Sequence, residues 1–485
     1  MSVLRRLLGE TTIYGLSAAV TSAIGFVQLP IYTRAFTPSQ YGALAQINAT
    51  STLAMVLIVF GLDNSSAVWY WDHPSFEERS RTFSTWYVFT LVSAAVLAAV
   101  AFLLRVPLAR TVLRDEGMAP LWTLFALNLL TTNLARIGAI WFRMEHKPLP
   151  SVGLTAVPAL ATAAVGIYLV TQTSQGLSGA LIGQIVGSWV GALVTVAVLL
   201  RLLSVGNFDR RRLWLMLKFS APLVLMTKLN WLLGSAITFF VNLLCSREDA
   251  GLYQVGASIA SVISLAMFAF AQAWAPSALA IREDAEARKV YGIAVEAAGA
   301  LGLLMAVGLG VAAEPLLLLV TRPAYVAARW VLALLALNTV VMNVPAILSV
   351  TFARAKSTAP LAKATAAGTG VTMVLLPFLI HAMGKEGAAL SVVLGSLTIL
   401  VYSLRESQRI FPIDIRLPRL ATAAALSAAT EVAGLALHSV LHTTGAMLGV
   451  AILATVALAV LLGFLYRRPL ATAVAELRAA RSTSA

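Results

Sequence analysis

Apolar residues run in blocks of about 18–25, each bounded by charged or turn-forming clusters, along nearly the whole chain. A block of that length crosses the hydrocarbon core of a bilayer as an α-helix rising about 1.5 Å per residue. The blocks fall near 11–33, 42–66, 84–104, 120–142, 151–171 and 179–200, then near 220–244, 252–275, 291–313, 330–352, 364–382 and 388–404, with two more near 420–438 and 446–466. This pattern predicts an all-α polytopic membrane protein with about 14 transmembrane helices. Pro30, Pro158, Pro222, Pro345 and Pro377 lie inside blocks, where neighbouring helices can satisfy the carbonyls they free.

Composition agrees with the pattern. Of 485 residues, 59% are hydrophobic and 12% charged, about half the charge of a soluble domain. That is too little to coat a water-facing surface, which excludes a soluble multidomain enzyme and a single-anchor protein. The net charge of +14 concerns orientation rather than nucleic acid. Counted on alternate sides of the blocks, 25 basic residues lie with the termini and 8 opposite, while Arg136 and Lys228 fall inside blocks. Cytoplasmic loops collect Lys and Arg, so both termini are expected in the cytoplasm. Met1–Glu10 reads as the start of an uncleaved first span. The lone Cys245 excludes an intrachain disulfide or a CxxC metal site. The five histidines are scattered and no nucleophile–base–orienter set is visible, so neither enzymatic activity nor a cofactor or metal is expected.

The two halves resemble each other. FALNLLTTNLARIGAIWFRMEHKPLP around Phe125 matches LALNTVVMNVPAILSVTFARAKSTAP around Leu335 at an offset of 210, pairing Asn128 with Asn338, Asn133 with Asn343, Phe142 with Phe352 and Pro150 with Pro360. GLSGALIGQIVGS from Gly176 matches GKEGAALSVVLGS from Gly384 at 208, and Tyr41 faces Tyr253 at 212. Six blocks per half make a parallel repeat, an arrangement of transporters that work by rocking two lobes. The expected domains are a six-helix lobe over 1–205, a basic cytoplasmic linker over 206–218, a second lobe over 219–410, and two extra helices with a tail over 411–485.

Two stretches point to a family. QLPIYTRAFTPSQYGAL (Gln28–Leu44) followed by GLDNSSAVWYW (Gly61–Trp71) resembles the opening spans of bacterial polysaccharide-export proteins, and SAPLVLMTKLNWLL with EDAGLYQVGASIA resembles their seventh and eighth. The likeness runs over about the first 405 residues and is to Wzx-type flippases of the multidrug/oligosaccharidyl-lipid/polysaccharide exporter superfamily. At Thr238–Asn242 the chain lacks an acidic–basic pair common in that family. The resemblance implies a cargo of undecaprenyl-pyrophosphate-linked oligosaccharide, turned to the outer leaflet for O-antigen, capsule or exopolysaccharide synthesis. It also makes membrane lipids and a polysaccharide polymerase candidate partners.

Such a cargo needs cations for pyrophosphate and neutral polar groups for sugars. Charges inside a membrane are costly and usually face an aqueous cavity or one another. Arg136 and Lys228, each about 9–12 Å inside the basic side, and Arg34 near the opposite end of its span are the pyrophosphate candidates, with snorkelling or pairing to an acid as the alternative. Asp63 and Glu296 are candidate H+ or Na+ coupling groups or salt-bridge partners. Glu431 reads as a helix–helix contact. Gln28, Gln46, Asn48, Asn128 and Asn230 are candidate sugar contacts, or helix glue. The recurrence of Asn128 and Asn133 in the second half favours packing. Trp69, Tyr70 and Trp71 read as an interfacial belt. Competing readings are a lipid II flippase, a drug/cation antiporter, or a membrane enzyme such as a polymerase or ligase. An antiporter wants an acidic cavity, and an enzyme wants a sizeable outer domain. The longest outer loops, about 105–119 and 314–329, are too short for the latter.

Overall fold

The computed structural model describes residues 3–72, 75–199, 207–357, 359–438, 440–441 and 443–483, and not every side chain within them. All regular structure among these residues is helical. Contacts divide the chain into Met1–Gly251 and Leu252–Ala485. The first unit holds α1 (Val3–Ala35), α2 (Pro38–Val59), α3 (Leu62–Asp72), α4 (Phe76–Leu103), α5 (Arg105–Leu108), α6 (Ala119–Met144), α7 (Pro148–Gln172), α8 (Gly176–Leu199), α9 (Arg210–Leu233), α10 (Ser235–Leu244) and the opening of α11 (Arg247–Ala260). The second holds the rest of α11, then α12 (Val262–Ala280), α13 (Asp284–Val311), α14 (Ala313–Val320), α15 (Arg329–Arg354), α16 (Ala359–Met383), α17 (Lys385–Ile410), α18 (Leu417–His438) and α19 (Thr444–Thr483).

Twelve helical segments among the described residues are long and apolar enough to cross a membrane. They coincide with twelve of the fourteen predicted blocks. The remaining two, 11–33 and 220–244, fall on α1 and on α9–α10 and are not among the twelve.

In the first unit α6 packs against α4, α7 and α8, and α7 pairs with α8 along its length. The TPSQ motif starts α2 as a capping box: Gln40 N–H donates to Thr37 Oγ1 (3.3 Å) and Thr37 N–H to Gln40 Oε1 (3.0 Å). That span is broken at Phe60 and Gly61, both left-handed (φ 46° and 71°). Gly61 is needed there twice over, since a Cβ would also come 3.0 Å from the Cβ of Ser220 on α9. Ser220 Oγ donates to the Gly61 carbonyl (3.0 Å) and lies 3.0 Å from Ser65 Oγ.

The contact boundary at Gly251 lies beyond the repeat boundary because the seventh span is fastened to the first unit. At one end Arg212 pairs with Glu78 and donates to Thr82 Oγ1 (2.7 Å), while Asp209 caps α9 through Arg211 and Arg212 N–H. At the other, Asn242 Nδ2 donates to the Val112 carbonyl (2.7 Å), Arg114 to that of Leu243 (2.5 Å) and Arg247 to that of Leu113 (2.9 Å). Gln46, fully buried, donates to the Thr238 carbonyl (2.7 Å).

The sequence repeat is also a repeat of local geometry. α6 and α15 end alike: His146 and Lys356, 210 apart, are both left-handed (φ 53° and 52°), and the next N–H bonds back to Phe142 in one case and Phe352 in the other. Asn133 donates to the Leu129 carbonyl, and Asn343 to that of Thr339. Gly176 and Gly384 both have positive φ (51° and 61°) at the start of α8 and α17. A Cβ on Gly187 would strike Thr162 and the Pro158 carbonyl; one on Gly395 would strike Thr372 and the Gly368 carbonyl. These partners are again 210 apart, so the two-residue change of offset lies in the loops before Gly176 and Gly384. Gly187→Ala and Gly395→Ala are therefore expected to destabilise by similar amounts, about 1–3 kcal/mol each, read as matched losses of thermal stability in detergent.

Candidate functional site

Three polar residues on α6, Asn128, Thr132 and Arg136, recur every fourth position and so share one face. Across from Asn128 stands α8. Ser188 Oγ donates to Asn128 Oδ1 (2.7 Å), Thr132 Oγ1 lies 2.9 Å from Ser188 Oγ and 3.0 Å from Asn128 Oδ1, and Gln184 Nε2 donates to Asn48 Oδ1 on α2 (3.1 Å). Asn48 is exposed and the other four are half-buried. The Nδ2 groups of Asn48 and Asn128 and Oε1 of Gln184 have no hydrogen-bond partner among the described residues. Uncharged donors and acceptors left open in this way are available to water or a polar ligand.

One turn further along α6, Arg136 Nη1 forms an ion pair with Asp63 Oδ2, each side chain about one-quarter exposed. The break at Phe60–Gly61 puts Asp63 in the first turn of α3, where the helix N-terminus favours a carboxylate. The second Asp63 oxygen and the Nε and Nη2 of Arg136 are buried without a partner among the described residues. Arg136 is thus engaged by Asp63 instead of standing as an open cation, and the two charges cancel.

The other sequence candidates divide. Lys228 and Asn230 lie on α9, and their side chains are outside the described residues. Arg34 is exposed in the last turn of α1. Gln28 is half-buried and donates to Tyr32 Oη at 3.4 Å. Gln46 is fully buried, its amide N–H donating to the Thr238 carbonyl of α10 and its Oε1 without a partner among the described residues, which favours the helix-glue reading. Glu296 belongs to the second unit, 3% exposed, where it accepts Arg416 N–H (2.7 Å) and lies 3.9 Å from Arg419. It joins α13 to the start of α18. Glu431 packs against Gly310 of α13.

Sequence reasoning overlooked Gln184, Thr132 and Ser188 as site residues. The signal was in the repeat: the second-half counterparts of Thr132, Arg136 and Gln184 are Met342, Ala346 and Val392. Only Asn128 and Ser188 keep their type, as Asn338 and Ser396, and Ser396 is fully buried. The polar face therefore belongs to the first unit alone.

Residues 31–330 match the family described as polysaccharide biosynthesis protein. The chain belongs to this family. The likeness read from Gln28–Leu44 and Gly61–Trp71 is thereby borne out. No curated protein matches the chain in sequence. Among solved structures, the fold of this polysaccharide biosynthesis protein is similar to that of the lipid II flippase MurJ in an inward closed conformation, with TM-score 0.75, 13% identity, and 94% of this chain and 99% of that one covered. It is similar also to an inward-facing multidrug resistance transporter of the MATE family of the MOP superfamily (TM-score 0.63, 13% identity, 84% and 94% covered). A third likeness is to a variant of the Vibrio cholerae MATE transporter VcmN (0.56, 17%, 84% and 96%). Residues 1–410 make up about 85% of the chain, so the MurJ likeness extends into α18–α19. With twelve apolar helices and this fold, the family member is a multi-pass membrane protein.

Proposed function

We propose that the chain flips undecaprenyl-pyrophosphate-linked oligosaccharide units from the cytoplasmic to the outer leaflet of a bacterial inner membrane, both termini being cytoplasmic, by alternating access. The observation that carries this reading is the uncharged polar face of Asn48, Asn128, Thr132, Gln184 and Ser188 on the apolar helices α2, α6 and α8. Amides and hydroxyls that both donate and accept suit sugar hydroxyls, and family membership supplies the polymer context. Arg136 receives pyrophosphate by exchanging Asp63 for it, a bidentate phosphate contact being worth more than a single carboxylate contact, with Lys228 and Arg34 as further cationic contacts. Asp63, released in that exchange, is the group to which a coupling H+ or Na+ binds. The chain acts as a transporter, not as an enzyme.

A lipid II flippase is the second reading, supported by the MurJ-like fold and a shared carrier chemistry. A drug/cation antiporter is disfavoured because Asp63 is already neutralised by Arg136. Purified protein in liposomes, offered a fluorescent prenyl-pyrophosphate oligosaccharide, lipid II and a cationic dye in separate arms, tests this. Translocation is expected to be fastest for the oligosaccharide. Translocation of the dye alone would refute the proposal, and preference for lipid II would move it to the second reading.

A further inference from the structure

Between α13 and α19 in the second unit runs an apolar groove of about 170 Å³, lined by Ala297, Ala300 and Leu304 on one wall and Ala459, Leu462 and Gly463 on the other. At one end it closes on Glu296 and Tyr466. Tyr466 is 5% exposed, and its hydroxyl is buried with no hydrogen-bond partner among the described residues. Leaving such a group unpaired costs about 1–3 kcal/mol. Beside Glu296 lies Arg419, and the chain at Arg416 donates its N–H to the same carboxylate. Arg288 and Lys289 stand two turns before Glu296 on α13, and Asp414 binds back to the Arg288 carbonyl. Arg419 and the chain at Arg416 thus stand at this end beside the single acid Glu296.

We propose that the groove holds one acyl chain of an anionic bilayer phospholipid, with its phosphate toward Arg416 and Arg419 and a headgroup or glycerol oxygen accepting from Tyr466. Both walls belong to membrane-crossing helices, so hydrocarbon is the medium that fills it, and basic pockets at helix ends recruit anionic headgroups. The modest positive balance suits the single charge of a phosphodiester, while Glu296 opposes a more highly charged pyrophosphate. The bound lipid would tie α19, the last helix, to the second unit.

Native mass spectrometry of the purified full chain, with phosphatidylglycerol and phosphatidylcholine of identical acyl chains, tests this. Phosphatidylglycerol should be retained about fivefold better, the equivalent of one basic contact. Gly463→Phe should abolish retention of both, since Gly463 lines the groove and a Cβ there meets nothing within 4 Å. Arg416→Gln with Arg419→Gln should erase the headgroup preference and keep the chain. Equal retention of the two lipids by the unaltered protein, unchanged retention in Gly463→Phe, or displacement of phosphatidylglycerol by an equimolar prenyl pyrophosphate would overturn it.

Discussion

Arg136→Ala, with Asp63 left in place, is expected to lower stability by about 2–4 kcal/mol, a little less than removing one partner of a fully buried pair. The discount follows from the one-quarter exposure of both side chains. Asp63→Asn should cost less, because the amide still accepts from Nη1, and the double variant should cost less than the sum of the two by at least about 1 kcal/mol. Chemical denaturation in detergent measures the cycle. The same variants separate structure from transport. If Arg136 serves only as Asp63's partner, the double variant recovers flipping along with stability. If Arg136 hands itself to pyrophosphate, the double variant is stable and still slow. A neutral effect of Arg136→Ala on stability would mean the ion pair does not hold α3 against α6.

Much of the fold could be read from the chain because hydrocarbon leaves few solutions. Long apolar blocks must be helices there, since no water satisfies an exposed backbone. The repeat was visible because close helix packing demands small residues and helix ends demand specific turns. The pairs Gly187/Gly395 and His146/Lys356 meet the same local demands in both halves. What could not be read was which polar side chains face one another. The spacing of Asn128, Thr132 and Arg136 shows a shared helix face, but only the tertiary arrangement sets Gln184 against Asn48 and Asp63 against Arg136. Gln46 and Asn48 illustrate the limit: two residues apart and chemically alike, one is fully buried under α10 and the other is open. Neither was the attachment of the seventh span to the first unit legible, because much of it rests on hydrogen bonds to backbone carbonyls at Val112, Leu113 and Thr238, which carry no side-chain signature.

The central claim is that cargo sugars are handled by the polar face of the first unit, and the repeat supplies its own control. Asn128 and Asn338 occupy equivalent positions on α6 and α15, one in a hydrogen-bonded polar cluster, the other with its Oδ1 buried and unpartnered. Asn128→Leu removes contacts to Ser188 and to cargo worth about 1 kcal/mol each. The lost cargo contact should slow translocation of a lipid-linked oligosaccharide in proteoliposomes about fivefold, at equal content of folded protein. Asn338→Leu, measured beside it, should leave the rate within about twofold, since no cargo contact is removed. Equal slowing by both variants, or none by Asn128→Leu, would contradict the account.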